Sequence, residues 1–441
     1  MVGEGLFEDL PEVLGPAKAS GKPRLREPVR DQIEMRVVDL DALIGSDHGA
    51  RVIWAYVERL DLSALEEAVR ARAHTPGQAP VSPRLLLALW LYGTSEGVGS
   101  ARALARLLYM SHDVYRWLCG GVRVNYHGLS DFRSGHPALL DRLLSENLAS
   151  LSAAGVIDLD EVVQDGVRVR ASAGSASYRR RKTLRKELKK ARRLVERLAR
   201  ESDADASNQR IEAARQRAAT DRAQRVQAAL DKLTEIEAER KRRAKTNKRQ
   251  VNKQKEPRAS TTDPQARVMK MADGGFRPAS NCQLATVAEG QIVVGAEVVA
   301  VGSDRGLLRP MIERIAQRHD RRPKRYLVDG GFNKNDDTEW AWQRGVKVYG
   351  PAVKNKHNTD PYAPRPDDGP GVAAWRRRMK SSHGKTVYRR RGCGECINAR
   401  FRQWHLYQFT VRGPEKVNTV LHWFALANNI LAGHRLITAA A

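Results

Sequence analysis

The sequence predicts a mixed α/β protein, with an all-α region ahead of a sheet-containing core and a basic helical hairpin inserted after the first strand. Three observations predict it. Apolar runs in the first third are bounded by helix start and stop residues. From Glu161 onward, strand-like runs alternate with amphipathic helical ones. Between them, residues 179–255 switch to a heptad pattern loaded with Lys and Arg.

Residues 1–35 are rich in Pro, Gly and charge and read as a flexible arm. Residues 36–155 read as a helical domain. Ser82-Pro83 has the form of an N-cap followed by proline at the first helical position, opening RLLLALWLY. Gly97 and Gly99 break the chain, Ser100 can cap ARALARLLYM, and Gly120-Gly121 end a third helix. Arg102, Arg106 and Arg116 on these short helices are compatible with a helix-turn-helix that contacts DNA, or with the wet face of an ordinary bundle.

At Glu161 the period changes to two. EVVQDGVRVR reads as a strand with Asp165 in its middle, on the face of Val163 and Val167, and ASAGSAS ends it. The stretch 179–255 then holds 27 Lys+Arg and 11 Asp+Glu, a net of +16. Leu184, Leu188, Ala191, Val195 and Leu198 recur at 4-3-4-3 spacing, SDADASN (202–208) can turn the chain, and Val226, Leu230 and Leu233 resume the seam. Like charge this dense repels itself unless an anion offsets it, so Arg179, Arg180, Arg181 and Lys182 at its start are candidate contacts to a phosphate backbone.

Strand patterns return in NCQLATVAEGQIVVGAEVVAV, two runs expected to join in a hairpin at Glu289-Gly290. LLRPMIERIAQRHD follows as an amphipathic helix with Pro310 in its first turn. RYLVD is a buried strand ending at Asp329, Asn333 caps a helix through Trp342, and VKVYGP is another strand. Residues 355–385, rich in Pro, Gly and charge, read as a loop. The chain from about Glu395 to His434 reads as helical, interrupted near Arg412-Gly413-Pro414. Strand, hairpin, helix, strand, helix, strand, helix is an order that matches the ribonuclease-H-like fold.

Composition narrows the partners. The chain has 77 Lys+Arg against 51 Asp+Glu, a net charge of +26, the footprint of a partner carrying many phosphates. Four cysteines do not make a disulfide framework. Cys393-Gly-Glu-Cys396 has CxxC spacing, but no second CxxC or His pair would complete four ligands. The N-terminus is acidic and lacks a signal-peptide core, and the longest apolar run, Leu85 to Tyr92, is too short to span a bilayer. A soluble, cytoplasmic, nucleoid-associated protein is expected.

Three acids concentrate the chemistry. Asp165 lies within a strand, where a carboxylate is expensive unless it meets water, a donor or a metal. Asp329 follows a continuous apolar strand and precedes Gly-Gly, and ligands gather at the carboxyl ends of strands in open α/β sheets. Glu395 shares a helix face with Arg402, seven residues on, and Arg391 just before it can hold a phosphate or steady the carboxylate. Alone, each has an ordinary explanation: a strand-end aspartate, a turn aspartate, an ion-paired surface glutamate. Together they supply the hard oxygen ligands with which two divalent ions, roughly 3.5–4 Å apart, clamp an in-line displacement at phosphorus.

Tyr388-x2-Arg391-x3-Glu395-x6-Arg402, placed after Asp165-Gly166 and Asp329-Gly-Gly-Phe332, resembles the Tyr-Arg-Glu-Lys signature of the DDE transposases of bacterial insertion sequences. Arg402 stands where that family has lysine, a planar fork in place of a point charge. YHGLSDFR (126–133) and MADGGFRPASNCQLAT (271–286) add to the likeness, which covers roughly residues 40 to 435. The resemblance implies a ribonuclease-H-like catalytic domain over residues 156–435, with Asp165, Asp329 and Glu395 as catalytic and metal-binding residues. It also implies two Mg²⁺ ions (Mn²⁺ substituting) and DNA contacts from Tyr388, Arg391 and Arg402. The implied activity is cleavage at terminal inverted repeats and joining to target DNA, by a homodimer assembled on that DNA. An inactive DNA-binding derivative and a metal-dependent nuclease without strand transfer are the alternatives. Trp404 and Tyr407 could stack on a flipped base, or serve core packing.

Overall fold

The chain is described by a computed structural model over residues 37–69, 79–109, 112–200, 209–246, 256–352 and 360–440. Leu40–Ala441 forms one compact unit, and the described residues before it, 37–39, carry no helix or strand. The expected flexible arm at 1–35 and the turn at 202–208 lie outside the described residues.

Within Leu40–Ala441 the chain begins as short helices: α1 (Gly49–Glu58), α2 (Ser63–Glu67), α3 (Pro83–Ser95), α4 (Ala101–Tyr109), α5 (Asp113–Cys119), α6 (Tyr126–Gly135) and α7 (Pro137–Ala153). Helix α3 is apolar all round because it is central: Leu87, Leu89, Trp90 and Leu91 are fully buried. Pro83 occupies the first turn of α3 as expected, but the Ser82 side chain makes no capping hydrogen bond. The Ser100 hydroxyl does accept from Ala103 N at 3.2 Å, and Gly120 ends α5 in the left-handed region at φ 50°.

The sheet is built around β1 (Glu161–Arg170), which pairs antiparallel with β5 (Phe276–Val287) and parallel with β7 (Arg325–Val328). Strand β8 (Lys347–Tyr349) lies parallel outside β7, and β6 (Val293–Val299) lies antiparallel against β5. A short strand β4 (Arg267–Lys270) pairs with the start of β5. After β1 the chain forms β2 (Tyr178–Arg179), α8 (Arg181–Arg200), α9 (Gln209–Thr246) and β3 (Ala259–Ser260). The β2–β3 pair closes the neck of the hairpin, reinforced by a 2.7 Å hydrogen bond between the Ser177 and Ser260 hydroxyls. The expected seam packs there: Leu184, Val226, Leu230 and Leu233 are buried together, with Leu188 against them.

The remaining helices are α10 (Leu308–His319), α11 (Asn335–Trp342), α12 (Pro370–Lys380), α13 (Ser382–Arg389), α14 (Gly392–Gln403) and α15 (Pro414–Ala440). Two expectations are corrected here. Much of the 355–385 stretch is helical: Gly369-Pro370 starts α12, whose Val372, Trp375 and Met379 fall on one buried face, and the Ser381 hydroxyl caps α13 by accepting from Gly384 N at 3.0 Å. Asn333 does not cap α11; the helix begins after Lys334, and the Asn333 amide donates instead to the Pro351 carbonyl.

Helix α15 joins the two halves of this unit. Its Trp423, Leu426, Ala427 and Ile430 complete the core of the N-terminal helices. Its Asn429 and Asn418 side chains accept from the β6 amides of Val293 (2.8 Å) and Val298 (3.1 Å). Eleven helical residues rise about 16 Å and five strand residues about the same, so the two asparagines meet the edge strand in register and cover it.

Candidate active site

The register of β1 against β7 sets the two aspartates side by side. Gln164 pairs with Val328, so the next residues along the two parallel strands are Asp165 and Asp329. They share a face, since Val163 and Leu327 two residues earlier are packed into one cluster with Tyr349, Trp375 and Met379. Asp329 keeps extended backbone (φ −72°, ψ 161°), and its Oδ1 accepts from Gly330 N at 2.6 Å. Asp165 is likewise fixed by the backbone, its Oδ1 accepting from Gly166 N at 2.8 Å.

Helix α14 lies on β1 along this face, and three contacts hold it. Before its first turn, Arg390 donates to the buried Glu161 carboxylate at 2.6 Å, which also ion-pairs with Arg325 at 2.9 Å. One turn later Gly394 meets the strand so closely that an added Cβ would stand 3.0 Å from Val163 Cγ1 and 3.4 Å from Asp165 Cβ. One further turn on, Asn398 Nδ2 donates to Asp165 Oδ2 at 2.8 Å. The helix residues step by four and the strand residues by two, rises of about 6 Å and about 6.6 Å, so the two repeats stay matched over three contacts.

Glu395 is carried beside this seam, one position round the helix from Gly394. Its Oε1 accepts from Arg391 Nη2 at 2.6 Å, with the glutamate side chain 60% exposed and the arginine 22%. The Arg391 guanidinium stands 5.8 Å from the Tyr388 ring centroid. Burial acts to lower the Arg391 pKa but is outweighed by Tyr388, Glu395 and Asp329, so it is held above the usual value. For Asp165 burial dominates and holds the carboxyl above its ordinary range; the Gly166 N–H and Arg391 pull it back, while Asp329 and Asp304 push it up. These couplings place Asp165, Asp329, Tyr388 and Arg391 in one electrostatic neighbourhood.

Two further residues of this neighbourhood were not anticipated. Asn398 carries a signal only in hindsight, one turn beyond Glu395. Asp304, in the loop after β6, accepts from Asn281 (2.8 Å), Gln283 (2.9 Å) and Arg168 (2.7 Å), and no spacing in the sequence marks it. Trp404 stacks on Phe401 with centroids 5.9 Å apart and packs against both cores, whereas Tyr407 is 51% exposed.

The donor set suits a hard divalent cation in part. Asp165 and Asp329 present neighbouring carboxylates, the ligands such an ion prefers. Glu395 is turned to Arg391, and among the described residues no group of three or more His, Cys, Asp or Glu could hold a metal ion. Cys393 is not primed to ligate, because burial pushes its thiol up to about 11.

The candidate DNA-contacting residues divide by burial and pairing. Arg402 lies exposed in the last turn of α14, and Arg106 is exposed on α4. Arg102, also exposed, stands over the Tyr126 ring at 5.4 Å. In the hairpin, Arg179 pairs with Glu187 (3.4 Å), Arg180 with Glu256 (3.1 Å) and Arg181 with Glu237 (2.8 Å), whereas Lys182 is exposed. Among the described residues no helix is long and apolar enough to cross a membrane.

Comparison with known families gives two matches. Residues 38–135 match a family described as a transposase domain (DUF772), and residues 234–430 match the transposase DDE domain. No curated protein matches the chain, and no solved structure does. Asp329, Tyr388, Arg391, Glu395 and Arg402 fall inside the second matched stretch, while Asp165 and most of the basic hairpin fall between the two. Transposases of this kind bind DNA and, as a family, use divalent metal ions. With the helical region matching one transposase domain and the core that carries Asp329 and Glu395 matching the other, the chain belongs to the DDE transposases of insertion sequences.

Proposed function

We propose that this transposase cuts DNA at the terminal inverted repeats of its element and joins the freed ends to target DNA, using Asp165, Asp329 and Glu395 around two Mg²⁺ ions, for which Mn²⁺ can substitute. The observation that carries this reading is that Asp165 and Asp329 each directly follow the Gln164–Val328 pair of two adjacent parallel strands, with the helix of Glu395 seated on the same strand face. The strand order, three antiparallel strands followed by two parallel ones around β1, supports a ribonuclease-H-like catalytic core. On this reading, α8 and α9 are an insertion into that core and the helices before β1 form a DNA-binding domain.

Divalent ions held by these acids would offset the negative charge that builds on the phosphate oxygens. Arg391 is the group placed to take a phosphate oxygen, through two parallel N–H donors. A phosphate arriving there competes with the Glu395 carboxylate for the same guanidinium. Glu395 is then released to turn toward Asp165, so that binding of DNA completes the acidic set. In the first step water attacks phosphorus at the element end; the bond to the 3′ oxygen breaks, leaving a 3′-hydroxyl and a 5′-phosphate. In the second step that hydroxyl attacks a target phosphate and displaces the target's own 3′ oxygen. Tyr388 and Arg402 flank the reacting strand, Arg102, Arg106 and the hairpin bind backbone farther away, and a dimer holds two ends together.

The test is incubation of the protein with a DNA fragment carrying the element's own ends, plus Mg²⁺ or Mn²⁺. End-specific nicking and joining are expected, and Asp165→Ala, Asp329→Ala and Glu395→Ala should each reduce both by roughly 10³-fold or more. Binding without cleavage would identify a DNA-binding derivative, cleavage without joining a nuclease, and either result would overturn the proposal.

A further inference from the structure

Asn398 has a role that nothing in the signature motif assigns to it. It lies on α14, 9% exposed, and its Nδ2 donates to Asp165 Oδ2 at 2.8 Å across 233 residues of sequence. The orientation of the amide follows from chemistry, since its carbonyl end would repel a carboxylate. The other end, Oδ1, is buried with no hydrogen-bond partner among the described residues. A buried acceptor left unpaired is costly, and a packed helix face would more cheaply carry an apolar residue there. The position also keeps the register: it is the third of the matched contacts at 390, 394 and 398, and it is the one that reaches the carboxylate itself.

We propose that Asn398 is a positioning residue for cation binding, holding the Asp165 carboxylate in its ligating orientation while leaving its charge intact; this rests on the two-acid site read above. Gly166 N fixes Oδ1 of Asp165 and Asn398 fixes Oδ2, so the plane of the carboxylate is set before any ion arrives. A neutral amide suits this task where lysine or arginine would not. A cationic side chain in the amide's place would compete with the metal for the same oxygen, whereas an amide orients without neutralising. The unpartnered Oδ1 of Asn398 is left to accept from water carried in with the ion, since Mg²⁺ keeps several of its waters.

The experiment is a titration of the full chain with Mn²⁺ alone, followed by electron paramagnetic resonance of the free ion, in the wild type and in Asn398→Leu, Asn398→Ser, Asp165→Ala and the Asp165→Ala/Asn398→Leu double variant. Asn398→Leu keeps the branch at Cγ and the number of heavy atoms, though it is bulkier, and removes both polar ends; a loss of roughly 10- to 100-fold in Mn²⁺ affinity is expected. Asn398→Ser, smaller and able to admit a water donor, should fall between it and the wild type. The double variant should bind no more weakly than Asp165→Ala, because the effect runs through that carboxylate. In DNA cleavage, excess Mn²⁺ should restore much of the rate of Asn398→Leu. Leu and Ser variants that bind Mn²⁺ as tightly as the wild type would overturn the inference. A double variant much weaker than Asp165→Ala would overturn its route through Asp165. A wild type that binds no Mn²⁺ would overturn the reading of the two-acid site, and this inference with it, whatever the cleavage assay gives.

Discussion

Two helix contacts in this molecule use similar residues to opposite ends. Where α14 meets β1, the Glu161 carboxylate, 7% exposed, is held by Arg390, itself 49% exposed, and by Arg325, and a glycine lets the helix backbone approach the Val163 and Asp165 side chains. Where α8 meets α9, Arg181 and Glu237 form a pair at 28% and 36% exposure over a seam of leucines, with Lys182 and its neighbours facing outward. The first contact fixes atoms; the second presents charge. The buried Glu161 carboxylate decides which, because a carboxylate out of water needs its two arginines in one geometry, whereas pairs with both members part-exposed contribute little and exchange with other ions. A site that must hold two carboxylates in fixed relation needs the first kind. A surface that binds a polyanion of any sequence needs only the second.

The largest effect should come from forcing the first contact apart. Gly394→Val places a branched side chain where even a Cβ would stand 3.0 Å from Val163 Cγ1, so α14 must lift from β1. Overpacking of this kind costs about 1–3 kcal/mol, and a displacement near 1 Å at reacting groups can cost about 10²-fold in rate. Gly394→Val should therefore cleave roughly 10²-fold more slowly at saturating DNA, with a modest fall in melting temperature. The corresponding change in the hairpin, Ala191→Val on α8, should leave cleavage of bound DNA unchanged. Equal loss from both would erase the distinction between the two contacts.

How much of the molecule is legible in its sequence follows the same division. The hairpin seam declares itself because a heptad repeat is a local signal, and β1 and β7 do so because period-two and continuous apolar runs are local too. Strands β2, β3 and β4 are as short as β7 and β8 but, unlike β7, carry no continuous apolar run to mark them. Helix α12 is hidden by composition: Pro, Gly and Arg around Val372, Trp375 and Met379 look like a loop until their spacing is counted. Within the site, Asp165 and Asp329 stand out through their positions on strands. Asn398 and Asp304 do not, because what gives each its role is a partner far away in sequence. Neither does the turning of Glu395 to Arg391, since one motif contains both residues and its spacing allows a phosphate clamp or an internal ion pair equally well.

An intermediate effect is expected from the second contact, and only on binding. Replacing the exposed Lys182, Arg185, Lys186 and Lys189 with Gln removes charge without touching the leucine seam. If these residues meet phosphates, DNA affinity should fall, and the slope of log affinity against log salt should flatten by about 0.9 for each phosphate no longer neutralised. Cleavage at saturating DNA should stay within about twofold of the wild type, since none of the four touches the acidic site. Arg181→Gln should behave differently, loosening α8 from α9 by about 0.2–1 kcal/mol with little change in the salt slope. A quadruple variant with an unaltered slope would make the hairpin a spacer and leave its charge unexplained.

The smallest effect is on stability without metal, and it tests what the rigid contact costs. Burial holds the Asp165 carboxyl above its ordinary value of 3.8, with Asp329 and Asp304 adding to the rise and the Gly166 N–H and Arg391 opposing it. A folded-state value raised above the unfolded one means that the native chain binds the proton more tightly. The favourable contribution is then fully present below pH 3.8 and is lost as pH rises through the folded value. At neutral pH an ionised Asp165 is thus a destabilising feature of the metal-free protein, which on the proposed function a bound cation would offset. Asp165→Asn keeps the shape and removes the charge. Thermal unfolding in a chelating buffer should show the Asp165→Asn variant melting above the wild type near neutral pH, with the gap closing as the pH falls through the carboxylate range. Added Mn²⁺ should then raise the wild type and not the variant, so that their order at neutral pH narrows or reverses. A gap independent of pH would mean that the packing of α14 on β1, and not the charge it encloses, sets the stability of this contact.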